Sequence, residues 1–249
     1  MVTERLQKVQ TQFATRAPVY EEKAAWIPDP GLLNCFVDMC RTVPDAEVLD
    51  VCCGTGLVGA GFRGKVKRVV GLDLTAEMLE QAKPRLDEVK QGLADHMPFE
   101  DHVFDVVVCR QALHFVDDPQ QVLHEMHRVL KPGGQAIVGH RVPYGEEDAA
   151  WWEQVNRAKQ PLLHNILLEQ DLEAIFLEAG FEDLEKKNYY LVESIQLWTD
   201  SPEAKAAADE VFSIYKTAPP EAIKMREIQF LENEIRDRWR WLILSGIKR

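Results

Sequence analysis

The acids and glycines of EVLDVCCGTGLVGAGFRGKVKRVVGLD, running from Glu47 to Asp73, have the types and spacing to hold a nucleoside-containing ligand. Gly54 and Gly56 let backbone N–H groups approach a ligand closely, and a following helix adds partial positive charge at its N-terminus. Asp73 can accept hydrogen bonds from both hydroxyls of a ribose. Such chemistry needs a frame that brings turn and acid together. Val48, Leu49 and Val51 predict a buried strand, the glycines a turn into a short helix, and Val69, Val70 and Leu72 a second strand ending at Asp73. Two parallel strands joined through a helix place turn and acid at neighbouring strand tips.

The spacing admits two kinds of ligand. Gly54-Thr55-Gly56-Leu57-Val58-Gly59 matches the GxGxxG fingerprint of dinucleotide sites, with Asp73 suitably placed beyond it. Asp50, inside the end of the first strand, would repel a pyrophosphate, whereas a ligand carrying an ammonium and a sulfonium tolerates an acid there. At these residues the sequence resembles the class I S-adenosylmethionine-dependent methyltransferases: VLDVCCGTG is similar to their first motif and VVGLDLTAEML to their second. ADHMPFEDHVFDVVVCR resembles the family's D-x-x-x-P-F … F-D-x-V segment through Asp95, Pro98, Phe99, Phe104 and Asp105, and HRVLKPGGQAIV is similar to the same family. The likeness covers residues 47–140, with a looser one at 13–26 and 167–190. The subgroup it resembles is the ubiquinone/menaquinone-biosynthesis type of small-molecule methyltransferases.

The resemblance implies a doubly wound α/β fold: a mostly parallel, seven-stranded Rossmann-like sheet whose antiparallel last strand lies between the fifth and sixth. It implies S-adenosyl-L-methionine as cofactor and S-adenosyl-L-homocysteine as product. Asp50, Gly54 and Gly56 would hold the methionine end, Asp73 the ribose diol, Leu74 and Met78 would lie against adenine, and Asp95 would accept from the adenine amine. His96 and Met97 would pack along the ring, with Arg110 and Tyr20 also on the cofactor, and Phe13, Arg16 and Tyr20 would fold over the closed site. One departure stands out, Cys52, where the family carries glycine three residues before Thr55. A side chain there is expected to narrow the turn.

At 249 residues, with 46% hydrophobic content, the chain predicts one domain: an N-terminal helical cap (1–43), a cofactor core (44–142) and substrate-side helices with the last strands (143–249). The net charge of −12 argues against a broad phosphate-binding surface and so against nucleic acid, leaving a small neutral or cationic substrate or a protein partner. Cys35, Cys40, Cys52, Cys53 and Cys109 match no zinc spacing and no disulfide framework, so no metal site is expected. MVTERLQKVQ lacks an apolar signal core and no run approaches a membrane span. The expectation is a cytoplasmic monomer or homodimer.

Along the chain, 3–27 and 32–41 read as helices, 75–88 as a helix capped by Thr75, 89–93 as a short strand and 104–109 as a central one. Pro119 opens a helix ended by Gly133-Gly134, 135–142 is the fifth strand and 183–195 the sixth. Residues 201–236 read as polar helices broken at Pro219-Pro220, followed by the strand RWRWLILSGIK.

Methyl transfer from a sulfonium asks mainly for alignment and exclusion of water, with a base only where the attacking atom carries a proton. His114 and His140, above the strand tips, are the candidate catalytic residues, each otherwise a hydrogen-bonded wall residue. Arg110 and Arg141 could grip an anionic substrate group. Trp151 and Trp152 form either an aromatic wall over the substrate or, as their helical setting favours, a packed face. Two rival readings are a nicotinamide-dependent oxidoreductase built on GxGxxG and a non-catalytic S-adenosylmethionine-binding protein.

Overall fold

Strand residues pointing to opposite faces are apolar on both, which is the pattern of a sheet covered by helices on each side. In the computed structural model, which describes residues 3–41, 43–200 and 207–249, the strands β1 (Glu47–Val51), β2 (Arg68–Asp73), β3 (Glu88–Gln91), β4 (Phe104–Arg110) and β5 (Leu130–Val142) pair in parallel. Val48, Val106, Val108 and Ile137 enter one core, and Leu49, Val51, Val107 and Val138 the other. The helices α3 (Leu57–Ala60), α4 (Ala76–Ala82) and α5 (Pro119–Val129) make the crossovers. Asp118 caps α5, its side chain accepting from Gln121 N at 3.1 Å.

The strand order is β3-β2-β1-β4-β5-β8-β6, so the chain reverses direction across the sheet between β1 and β4. Ligands of open α/β sheets bind beyond the strand ends at that switch. β8 (Ile235–Lys248) runs antiparallel between β5 and β6 (Phe181–Ser194), as the resemblance implies. An eighth member, β7 (Gln229–Phe230), adds a two-residue pairing to β8.

Several boundaries differ from the sequence expectation. The N-terminal helix is α1 (Glu4–Arg16), followed by a 3₁₀ segment at Ala17–Glu22 rather than one helix to residue 27. Pro18 lacks the N–H that would continue the ladder. Next comes α2 (Pro30–Met39), capped by Asp29. The helices α6 (Glu146–Lys159), α7 (Glu169–Glu178) and α8 (Ile195–Thr199) follow β5 and β6. Of the expected helices over 201–236, residues 201–206 lie outside the described residues. The rest forms α9 (Ala208–Lys216) and α10 (Pro220–Met225), but β8 already begins at Ile235. Ile235, Asp237, Trp239 and Trp241 are buried at alternate positions, a two-residue period that overrides the helical propensity of EIRDR. No helix among the described residues is long and apolar enough to cross a membrane.

A buried charge network ties these C-terminal elements to α6. Arg226, after α10, donates from Nε and Nη2 to Asp237 (3.0 and 2.8 Å) and from Nη1 to Asp148 on α6 at 3.0 Å. Tyr215 Oη and Trp239 Nε1 donate to the same Asp237 carboxylate at 2.7 and 2.9 Å. All three charged side chains are fully buried, so each depends on the others for its solvation. Asp237→Ala strands Arg226 without its main counter-charge. We expect it to destabilise the fold by about 3–5 kcal/mol, read as a lower urea midpoint, whereas Asp101→Ala, on an exposed ion pair, leaves the midpoint unchanged.

Candidate active site

The turn after β1 is held to the tip of β2 by one carboxylate. Asp73 Oδ2 accepts from Gly54 N and its Oδ1 from Thr75 N, both at 2.8 Å. Gly54 has a φ of +54° and open space within 4 Å of where a Cβ would stand. That space belongs to a cavity of about 820 Å³, partly open to solvent, at the carboxyl ends of β1, β2 and β4. Gly54, Asp73, Leu74, Met78, Asp95 and Arg110 line it, joined by Cys52 and Tyr20. From above, α1 covers it with Leu6, Val9 and Gln10, and Gln10 Nε2 donates to Leu74 O at 2.9 Å.

A small recess continues this cavity and brings together Tyr20, Asp50, Gly54, Thr55 and Arg110. Asp50 is 1% exposed and accepts from Gly59 N at 2.8 Å, which anchors α3 under the turn. Burial pushes its carboxyl up to about 7. Arg110 donates from Nη1 to Ile27 O at 3.0 Å and lies 5.2 Å from the Trp26 ring, and burial holds it below its ordinary value. An acid and a base facing one recess suit a zwitterionic amino-acid end.

The structure does not bring the other expected ligands into this cavity. Gly56, at φ +80°, serves the turn and packs on α4, because a Cβ there would meet Ala82 at 3.1 Å. His96 is exposed, while Met97 is buried in the core and donates its N–H to Glu125 at 2.6 Å. Ala94 and Asp95 supply the wall instead. Cys52 adopts φ +54°, so the family glycine is replaced exactly where the backbone is left-handed, and its side chain is held in place beside the cavity.

A second cavity of about 580 Å³ adjoins the first, and Phe13, Tyr20, Gln111 and Phe115 line both. His114 faces this second space and also a smaller one shared with His140 and Arg141. The two imidazoles lie 5.3 Å apart. Burial, with neighbouring positive charge, holds His114 well below its ordinary value and His140 down at about 3, so both are neutral at pH 7. Arg16 reaches the second cavity as expected. Trp151 is a packing residue set edge-on to Tyr215 at 5.1 Å, whereas Trp152 lines the space by His140. Gln111 stands just past the carboxyl end of β4, on the side where the sequence places ligands. It has φ +54°, donates its N–H to Gly139 O and accepts from Arg141 N at 2.7 Å. No spacing rule marks such a residue, although its place just after the end of β4 is a weak signal.

Groups of three or more metal-binding side chains are absent among the described residues. All five cysteines are free thiols, with Cys35, Cys53 and Cys109 buried as small apolar residues.

Residues 49–138 match the family model described as a methyltransferase domain. The Bacillus subtilis uncharacterized methyltransferase YcgJ is 28% identical over 191 residues, 72% of this chain and 74% of that protein. The demethylmenaquinone methyltransferase of Bacillus cereus is 41% identical over 104 residues, which span 38% of this chain but only 44% of that enzyme. A crystal structure of a candidate methyltransferase from Bacillus halodurans superposes with a TM-score of 0.78 at 27% identity, covering 87% of this chain and 98% of that one. Sheet order, switch-point cavity and motif likeness converge: residues 49–138 carry a methyltransferase domain, and the chain has the fold of the class I methyltransferases it resembles.

Proposed function

We propose that this methyltransferase takes its methyl group from S-adenosylmethionine held in the first cavity and passes it to a small organic molecule in the second. The observation that carries this reading is the junction of the two cavities, where Phe13, Tyr20, Gln111 and Phe115 form a shared wall. Asp73 keeps lone pairs free for a ribose diol after accepting from Gly54 and Thr75. Asp95, Leu74 and Met78 suit an adenine, and Asp50 with Arg110 the ammonium and carboxylate of the methionine end. When bound, the cofactor supplies a methyl already made electrophilic by sulfonium charge.

The chain's own work is then placement and exclusion of water. Cap residues Leu6, Val9 and Phe13 close the apolar side, and Gln111 fixes the wall between donor and acceptor. His114, neutral and facing the acceptor, can take a proton at a ring nitrogen, but its depressed basicity suits an acceptor atom that needs little deprotonation. His140 lies behind it and shapes its surroundings. The oxidoreductase reading is not favoured: Gly56 and Gly59 pack against Leu86 instead of opening toward a diphosphate, and Asp50 stands beneath the turn. Five free thiols support a reducing, cytoplasmic setting.

Equilibrium dialysis should retain S-adenosylhomocysteine and not NADH; the reverse result would sink the proposal. Asp73→Ala should weaken S-adenosylhomocysteine binding by about 1–3 kcal/mol, through lost ribose hydrogen bonds and a loosened Gly54 turn. An unchanged Kd would remove the acid from the ribose. Asp50 makes a further test. Its unliganded carboxyl, raised to about 7, holds a proton below that pH, whereas an arriving ammonium favours the ionised form. Binding therefore releases a proton, and affinity should rise between pH 5.5 and 7.5 by up to about tenfold per unit. Calorimetry in buffers of different ionisation enthalpy should show that proton, and Asp50→Asn should abolish both effects.

A further inference from the structure

Four residues are common to the two large cavities, and they set what can be gripped where methyl donor and acceptor meet. Phe13 and Phe115 stand edge to face at 5.2 Å and offer only apolar surface. Tyr20 offers a hydroxyl that burial keeps protonated. It can donate or accept, so it does not choose between acceptor atoms. Gln111 offers an amide, and of the four it alone also lines the smaller space beside His114 and His140.

The orientation of that amide follows from its neighbour. The Arg141 N–H can only donate, and it meets Gln111 Oε1 at 2.7 Å, so the carbonyl end is spent on β5 and the NH2 is the end left over. Nε2 donates to no protein group among the described residues, and it is not sealed from solvent. Because this residue lines all three neighbouring spaces, its unused donors open onto the cavities. The backbone is committed as well: φ is +54°, and the N–H is bonded to Gly139 O at 2.8 Å. A left-handed glutamine held from both its backbone and its side chain is strain that the surrounding structure over-determines, the pattern of a residue kept for a ligand.

What an NH2 at that place can hold decides the reacting atom. It needs a lone pair to grip. A carbon nucleophile offers none. A neutral amine has one, and a pair given to the amide is withdrawn from attack. Sulfur accepts only weakly. A hydroxyl oxygen has two, one to be held and one to attack. The available base narrows the oxygen further: His114 is neutral and weakly basic, so the hydroxyl must be acidic, as a phenol is and an alkyl alcohol is not.

We propose that the methyl acceptor is the oxygen of a phenol and that Gln111 positions it, donating from Nε2 while the ring lies among Phe13, Phe115, Trp26 and Trp198 of the second cavity. The oxygen then spends one lone pair on the amide and the other on the new C–O bond. The electron pair of the broken C–S bond stays with sulfur, and the hydroxyl proton passes to a ring nitrogen of His114 and on to water.

This inference rests on the methyltransferase reading, and the test separates the two. Calorimetry on the S-adenosylhomocysteine complex compares 2-naphthol with 2-naphthylamine, and methyl-labelled S-adenosylmethionine then reports which of them is methylated. The naphthol should bind about fivefold tighter or more, and label should appear in the aryl ether about tenfold faster or more than in the N-methyl amine. Gln111→Glu keeps an oxygen for the Arg141 N–H but replaces the donor by an anion. It should remove the binding preference and cut ether formation about tenfold, and Gln111→Met should do the same without adding charge. S-adenosylhomocysteine affinity within about threefold of the unaltered protein reports that the variants fold. Equal binding of the two probes, binding of neither, label on nitrogen in preference to oxygen, or an oxygen preference that survives both substitutions would overturn the proposal and leave the cofactor reading standing. Failure of S-adenosylhomocysteine itself to bind would strike the cofactor reading first.

Discussion

The Asp73 carboxylate is the tie on which the cofactor half depends. By accepting from Gly54 on one side and Thr75 on the other, it joins the loops leaving two neighbouring strands. The strands themselves are in parallel register, with Val51 beside Leu72, so the tie needs no distortion of either. Burial raises the carboxyl, and those same backbone donors pull it back toward the ionised form. Structure and binding thus draw on one group: the loops fix the acid's orientation, and the oxygen lone pairs they leave unused face the cavity. A ligand that donated to no carboxylate would gain nothing from this geometry.

Two of the five non-glycine residues at positive φ stand at the same place, the others being His102, Asp183 and Glu227. Cys52 follows β1 and Gln111 follows β4, the two strands flanking the topological switch, and both residues sit at positive φ. Left-handed backbone costs a side-chain-bearing residue about 1 kcal/mol. At Gln111 the surroundings hold it there: its N–H is bonded to Gly139 and its side chain to the Arg141 N–H, which joins β4 to β5 beyond the end of their ladder. Both residues line the cavities, Cys52 while also packing against the core beneath. Strain of this kind persists where the surrounding structure over-determines it, and here it sets the floor between donor and acceptor spaces.

The cofactor half was legible because its determinants are local. A strand, a turn, a helix and a second strand are written consecutively, and Asp50, Gly54 and Asp73 fall into place once the βαβ unit forms. Legibility ended where one sequence position has two plausible neighbours. His96 and Met97 follow Asp95 in the chain, but the tight turn there sends one to solvent and the other into the core. The start of β8 was misread because EIRDR has helical composition, and only the burial of Asp237 by partners from α9 and the segment after α10 makes its alternation meaningful. Arg141 was visible at a strand tip. Its tryptophan cage was not, since the three rings come from α6, α8 and β8 and meet only in the folded sheet.

Net charge and local charge therefore say different things about this protein. The excess of acids argues against an extended polyanion on its surface, because long-range repulsion acts on the sum. It says little about a buried cavity, where low dielectric makes the few nearest groups dominate. The first cavity is lined by Asp73 and Asp95 with Arg110, and Asp50 shares a recess with that arginine; the second is lined by Arg16, Lys23, Arg141 and Lys159. A sum over the whole surface cannot report that difference, because each buried group responds first to its nearest neighbours.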